Sequence, residues 1–449
     1  MSSSNEKSSQ NTKQSKVPSS RWGRLSRMGA MATTVAGGML AEGARQLASG
    51  KRPKVSEMLL TPANARRVAD QLSRLRGAAM KVGQLVSMDA GDFLPPELAD
   101  ILARLRSDAR SMPSKQLSQV LAKQWGVHWR EKIKRFDETP VAAASIGQVH
   151  QGWSLEGDHL AIKIQYPGVS ESIDSDIDNV ASLFKMSGLV PKSFDLKPLL
   201  AEAKAQLHEE ADYLREAEYL RQYTRALGNQ PDYFIPKIYE PLTTDRILAM
   251  SYVDGVPIES LQKAPQEERD HLAKLMFGLM FREMFAMQVM QTDPNFANYL
   301  YQTDEKRLVL LDFGATRNLP LDLMRKYTRM VEVGLTGTDE ELKQVGIDIG
   351  YFDEHIEPKH LAPILKLMRL SVEPLARDHY AFGQTDLAAR VREAGFELGR
   401  DRDFWYTPPI DCLFLHRKVG GVFLFATRIK ANVPVRELYE QAVAQMRGH

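Results

Sequence analysis

The sequence predicts an α+β fold in which a helical extension leads into a small sheet-rich lobe and then a mostly helical one. Three observations carry that prediction. Short runs rich in β-branched and aromatic residues (KIKRFDETP, GQVHQGWSL, HLAIKIQY and RILAMSYV) fall between residues 131 and 254, separated by turn signals such as Glu156-Gly157-Asp158. Beyond Leu261 nearly all of the chain has helical character, interrupted by a strand pair around NYLYQ and RLVLLDFG. With 449 residues, 43% of them hydrophobic, there is material for a large core, and the length suits one two-lobed body with extensions better than three independent domains. The single cysteine, Cys412, excludes an intramolecular disulfide or a cysteine-rich zinc site and points to a reducing compartment.

The formal net charge of +2 hides an asymmetry: residues 1–80 carry 14 Lys/Arg against 4 Asp/Glu, so a basic arm precedes an acidic body. Residues 1–20 are Ser-, Asn-, Gln- and Lys-rich with almost no apolar side chains, and predict a disordered tail without a secretory signal. In residues 21–50, Arg21, Arg24 and Arg27 precede a weakly apolar run from Met28 to Ala41. A spanning helix needs about 20 apolar residues, so this run is too short to cross a bilayer. Its small-residue spacing (Gly29, Thr33, Gly37, Ala41) suits docking on anionic lipid, on a second copy of the chain, or on its own body. Residues 51–130 read as the helical extension. Val68, Leu72, Leu75, Ala79, Val82 and Val86 form one apolar stripe, and a second helix starts after Pro95-Pro96. The sheet-rich lobe, with inserted helices, occupies 131–254, and the helical lobe 255–449.

Asp293-Pro-Asn-Phe-Ala-Asn298 is followed 14 residues later by Asp312-Phe313-Gly314 at the end of an apolar run. In kinase-type phosphoryl transfer an Asp accepts the hydroxyl proton or orients the nucleophile, while an Asn five residues on and the DFG Asp hold magnesium between phosphates. Lys163, alternating with apolar neighbours in HLAIKIQY, is placed as a lysine that holds the α- and β-phosphates; by itself Ala-Ile-Lys fits a solvent-facing lysine equally well. Its carboxylate partner lies in the helix predicted over 202–226, among Glu209, Glu210, Asp212, Glu216 and Glu218, and periodicity does not choose between them. Where a glycine-rich loop would cover the phosphates, the chain reads Pro140-Val-Ala142-Ala143-Ala144-Ser145, a stiffer loop with less backbone freedom than glycine allows.

Together, Lys81-Val-Gly-Gln84, Ala142-Ala-Ala-Ser145 with IGQVH, AIKIQYPGV, Glu210-Ala-Asp212 with YLREAEY, QTDPNFANYLY and LLDFGATR resemble the UbiB/ADCK (AarF domain-containing) atypical kinase-like family, in its coenzyme Q biosynthesis branch. The resemblance covers about residues 20–449 and implies a protein-kinase-like bilobal fold with an N-terminal helical extension and a mostly helical C-lobe. It further implies that Lys81 and Gln84 sit on a helix across the place where a peptide substrate would bind, with Glu210 and Asp212 as their partners. Glu216 becomes the carboxylate that pairs with Lys163, and Ala142, Ala143, Ala144 and Ser145 the loop over the nucleotide. The adenine hinge falls at Met250, Ser251, Tyr252 and Val253. Asp293 takes the catalytic position, with Asn298 and Asp312 as magnesium ligands.

Gln291-Thr292 replace the His-Arg that precedes the catalytic Asp in ordinary kinases, and ATRNLP leads into a helix near Leu321 with no A-P-E segment, so protein phosphorylation is disfavoured. The expected function is a magnesium-dependent ATPase, binding ATP/ADP and supporting ubiquinone biosynthesis at a membrane surface. A small-molecule or lipid kinase, and a nucleotide-gated scaffold that extracts lipid or assembles enzymes, are the alternatives. Expected partners are nucleotide, anionic lipid or a quinone precursor, quinone-biosynthesis enzymes and a second copy of the chain. Basic residues 51–76 lack a nucleic-acid motif, so nucleic acid is excluded. The expected location is the bacterial cytoplasm, peripherally membrane-associated, or alternatively the matrix face of the mitochondrial inner membrane. Met276, Met280, Met284 and Met287 predict a core stripe, and His208, His271 and His355 lack metal-ligand spacing.

Overall fold

The computed structural model describes residues 78, 112–144, 146–187, 197–293, 295–399 and 408–448. The tail over 1–20, the 21–50 segment, Lys81, Gln84 and Ser145 lie outside the described residues. The chain divides into two compact units, one ending at Ala217 and including Lys237–Tyr252, the other formed by Glu218–Pro236 and the chain from Val253 onward.

The first unit opens with α1 (Ser114–Trp125), followed by the strands β1 (Arg135–Phe136), β2 (Ala142–Ala143), β3 (Gly147–Trp153) and β4 (His159–Gln165). The helices α2 (Ile173–Ser187), α3 (Lys197–Glu210) and α4 (Tyr213–Leu227) come next, α4 counting to the second unit from Glu218 on, then the short β5 (Tyr233–Phe234), which also belongs to the second unit, and β6 (Ile247–Ser251). The sheet runs β1-β3-β4-β6 with β2 on β3, every pairing antiparallel. Leu117, Leu121 and Trp125 recur every four residues along α1 and form one apolar face. That face packs with Trp129 against Leu160, Ile162 and Ile164 of β4 and Ile247 and Ala249 of β6. The Trp125 indole donates to the Leu242 carbonyl at 2.9 Å, so its polar end is satisfied inside the core. Because side chains alternate along a strand, Lys163 and Gln165 project to the face opposite this core, yet both are buried.

The single helix expected over 202–226 is two. Chain direction changes at Ala211, and Asp212 starts α4 by accepting the Arg215 N–H on its side chain at 2.9 Å and the Glu216 N–H on its carbonyl at 3.1 Å. A short acidic side chain that satisfies an exposed helical donor competes with helix continuation, so a run of charged helix formers breaks there.

The second unit contains the sheet β5-β10-β9-β7, built from β7 (Val256–Pro257), β9 (Tyr299–Gln302) and β10 (Arg307–Leu310), with β10 parallel to β5 and antiparallel to β9. Its central helix, α5 (Gln266–Phe281), is apolar on every side from Leu275 to Phe281 and correspondingly buried. A π-helical turn, Arg282–Met287, extends it. Met276, Met280 and Met284 lie in the core as expected, whereas Met287 is partly exposed at the end of that turn. β8 (Val289–Gln291) pairs with β11 (Thr316–Asn318), bringing the residues before Asp293 alongside those after Gly314. The remaining helices are α6 (Leu321–Thr336), α7 (Asp339–Ile349), α8 (Pro358–Val372), α9 (Leu387–Gly399), α10 (Ile410–Arg428) and α11 (Val435–Arg447), and the last two pack on α5. Among the described residues no helix is long and apolar enough to cross a membrane.

Candidate functional site

Strand β4 and helix α4 bring Lys163 and Glu216 together across 53 residues of sequence. The ammonium lies 2.9 Å from both carboxylate oxygens, with side-chain exposures of 9% and 1%, and stands 5.2 Å from the Tyr213 ring centroid. The break before α4 aims Glu216 at the sheet. Gln165, two residues along the strand from Lys163, donates to the Ala211 carbonyl at the break at 2.9 Å and accepts from Arg246 at 2.6 Å. Of the five candidate carboxylates the structure brings Glu216 to Lys163. Glu209 instead lies 3.6 Å from Arg215, Glu218 bonds Arg221 and Arg225, and Asp212 caps α4.

Ala142 and Ala143 are exposed on β2, paired with Val149 and Gln148, and the Ala144 N–H bonds the Gly147 carbonyl at 2.9 Å, so the alanine-rich stretch is one arm of a tight hairpin. Gly147 closes it where no side chain fits: a Cβ there would lie 2.5 Å from the Ile164 carbonyl oxygen and 2.9 Å from the Tyr213 hydroxyl. Behind the hairpin, the His150 ring is sealed in the unit. Its Nδ1 faces the Asp137 carbonyl at 2.8 Å and so carries the proton, leaving Nε2 to accept from the Gln148 amide at 2.7 Å, whose oxygen accepts the Met112 N–H at 2.8 Å. At the expected hinge, the N–H groups of Ser251 and Tyr252 already bond the carbonyls of Lys237 and His159 at 2.8 Å each. Those two residues therefore offer a base only their carbonyls, while Met250 is buried and Val253 half-buried.

In the second unit, the Asp293 carboxylate accepts from the Asn298 amide at 3.2 Å and from Arg417 of α10 at 3.3 Å. Asn295 caps the short turn Phe296–Asn298 through its side chain. The Asn298 carbonyl accepts the Leu311 N–H at 2.9 Å, extending the β9–β10 pairing, so Asn298 and Asp312 flank the same end of the hairpin. Asp312 accepts the Gly314 N–H at 2.9 Å. Because a carboxylate only accepts, Asn298 must turn its NH2 to Asp293 and its oxygen elsewhere. An amide oxygen and a carboxylate match the hard-donor preference of magnesium, which takes few protein ligands and completes its shell with phosphate and water. Among the described residues no cluster of three or more His, Cys, Asp or Glu side chains forms a metal cage.

Arg417 escapes sequence reasoning because its partner is 124 residues away, in a helix with no motif. Gln165 carried a usable signal, as a polar residue next to Lys163 on one face of a largely apolar strand.

A Lys–Glu pair on an antiparallel sheet in one unit, and a D-x4-N with DFG on a hairpin in a helical unit, define a protein-kinase-like α+β fold. The model of the ABC1 atypical kinase-like domain matches residues 104–345. The chain is 35% identical over 440 residues to the yeast protein named atypical kinase COQ8, mitochondrial, covering 96% of this chain and 86% of that one. It is also 35% identical over 439 residues to the rat atypical kinase COQ8B, mitochondrial, covering 96% and 82%. Among solved structures, Rv3197 of Mycobacterium tuberculosis, determined with erythromycin, superposes with a TM-score of 0.59 at 23% identity over 86% of this chain and 96% of that one. The chain belongs to the ABC1, or UbiB/ADCK, family of atypical kinase-like proteins.

Proposed function

We propose that this atypical kinase-like protein binds ATP with magnesium and hydrolyses it, in support of ubiquinone biosynthesis at a membrane surface. The observation that carries the reading is the joining of Asp293, Asn298 and Asp312 around one hairpin end, with Asn298 bonded to the first and its carbonyl tied to the residue before the last. Lys163, held by Glu216, is the cation for the α- and β-phosphates, and Asp293 orients the attacking water. Asn298 and Asp312 would hold magnesium, which when bound neutralises charge on the phosphate oxygens. Lys81 and Gln84 shield the site from peptides, with Glu210 and Asp212 as their partners, consistent with the absence of an A-P-E segment.

Support for the pathway comes from the similarity to proteins named COQ8, and their mitochondrial names favour the matrix face over a bacterial cytoplasm. The basic segment ahead of residue 80 is the part proposed to meet anionic lipid. The test is release of phosphate from magnesium-ATP, with and without vesicles of phosphatidylglycerol and phosphatidylcholine, by the full chain and by its Asp312→Asn variant. Hydrolysis lost in the variant, and stimulated by anionic vesicles in the parent, is expected. Equal hydrolysis by both proteins would sink the assignment of Asp312, and transfer of the labelled phosphoryl group to a lipid or quinone precursor would convert the ATPase into a kinase.

A further inference from the structure

We infer that Lys418, buried in α10, is the positioning residue for Asp293 and for the two candidate magnesium ligands, acting through Glu283, Tyr223 and Tyr299; the inference rests on the site reading above. The Lys418 side chain is 2% exposed. Its ammonium forms an ion pair with the Glu283 carboxylate at 2.8 Å and donates hydrogen bonds to the Tyr299 hydroxyl at 2.9 Å and the Gln291 backbone carbonyl at 3.0 Å. The other oxygen of Glu283, itself fully buried, accepts from the Tyr223 hydroxyl at 2.6 Å, whose oxygen in turn accepts the Gln291 N–H at 2.9 Å. Both backbone polar groups of Gln291 are thus gripped by one cluster.

The positions of those contacts make the case. Gln291 is two residues before Asp293. Tyr299 directly follows Asn298. Tyr223 places its ring edge-on to Phe313, with centroids 4.9 Å apart, and Phe313 directly follows Asp312. The cluster around Lys418 therefore touches a close sequence neighbour of each of the three site residues, two directly through the ammonium and the third through Tyr223. Lys418 stays charged: burial alone would lower its pKa, but Glu283 and Tyr299 outweigh it and hold the value above the ordinary one. Burial, then Glu283, raises Tyr223 well above the usual phenol, so it remains a donor.

Stability does not account for this arrangement, because apolar residues of similar volume commonly replace a buried ion pair at no loss. Directional hydrogen bonds, which apolar packing cannot supply, do. Glu283 occupies the π-helical turn, and Gln288, at φ 54°, enters the left-handed region just before β8. Such departures from regular geometry concentrate where a fold aims particular groups.

The test is the full chain carrying Lys418→Met together with Glu283→Gln, a neutral pair of similar volume that removes the grip on the Gln291 carbonyl and on Tyr299 without leaving a buried charge. Manganese affinity in the presence of ADP, read from the paramagnetic resonance of the unbound ion, should weaken about tenfold, the usual effect of losing a partner behind a metal ligand. Metal-independent ADP affinity should be unchanged, turnover of magnesium-ATP should fall more than KM rises, and amide exchange over residues 289–299 should accelerate. A merely structural role would move the melting midpoint and leave manganese affinity per folded molecule alone. If the double variant does not fold, Tyr299→Phe decides, with a smaller weakening of manganese binding expected. Parental manganese affinity and exchange in the folded variant overturn the inference. Asp312→Asn separates the two claims: if it abolishes manganese binding while the Lys418 variant matches the parent, only the positioning role falls, whereas parental binding in Asp312→Asn removes the site reading and the inference with it.

Discussion

Replacing Lys163 by Met tests the buried pair of the first unit most directly. Both Glu216 oxygens lie 2.9 Å from the ammonium and that carboxylate is 1% exposed, so the variant takes the ammonium away from a negative charge that water cannot reach. Removing one member of such a pair costs about 3–5 kcal/mol. At about 2–4 °C per kcal/mol for a unit of this size, the melting midpoint should fall by roughly 10 °C. Trp125, Trp129 and Trp153 all belong to the first unit, and the first two are buried, so tryptophan fluorescence follows its unfolding. Adding Glu216→Gln removes the stranded charge and should restore most of the lost midpoint. ATP present at about 100 times its dissociation constant should stabilise the parent by about 2.7 kcal/mol and the Lys163→Met chain by far less. A single variant that melts within about 2 °C of the parent would refute the reasoning, since a pair so enclosed cannot be broken without consequence.

Gly147→Ala pushes a Cβ to 2.5 Å from the Ile164 carbonyl, a backbone atom that cannot swing aside, and should cost about 1–3 kcal/mol in urea denaturation. Asp212→Ala removes the side-chain acceptor for the Arg215 N–H and should cost about 1 kcal/mol by the same measurement, with the Lys163–Glu216 pair still formed. His150 gives a pH dependence. Burial, opposed by the bond to the Asp137 carbonyl, holds its pKa below 6.5, so on acidification the unfolded chain takes up the proton first. The stability of the first unit should be full above pH 6.5, decline as the pH falls below that value, and stop declining below the depressed folded pKa; urea midpoints of the parent should show this slope, and His150→Gln should flatten it.

Sequence legibility followed the range of the contacts. Asp293, Asn298 and Asp312 share one hairpin end, and a contact made within 20 residues leaves a spacing that can be read. The six-residue register from Asp293 to Asn298 and the strand before the DFG encode it almost completely. Lys163 was visible as a charge in an apolar strand, but Glu216 was one of five carboxylates until the chain break at Ala211 turned α4. That break depends on Asp212 capping a helix whose neighbours all favour continuation, a competition decided by tertiary contact with Gln165 rather than by propensity. Arg417 and Lys418 left no trace, because these partners lie 119 to 135 residues away and a helical Arg-Lys reads as solvated surface.

The two buried lysine–glutamate pairs have the same chemistry and different capacities. Lys163 meets both oxygens of the Glu216 carboxylate, keeps 9% of its side chain exposed and has an aromatic face beside it. In the proposed nucleotide complex a phosphate oxygen would share this ammonium with Glu216, so its charge would stay compensated. Lys418 is ion-paired to a carboxylate and hydrogen-bonded to a phenol and a peptide carbonyl, and 2% of its side chain meets solvent. No anion can enter without breaking a bond to a different element of the unit, so this charge is fixed while the first is exchangeable. Exchangeability suits the phosphate-binding role proposed for Lys163, and fixity of the peptide before Asp293 suits the water-orienting role proposed for that carboxylate.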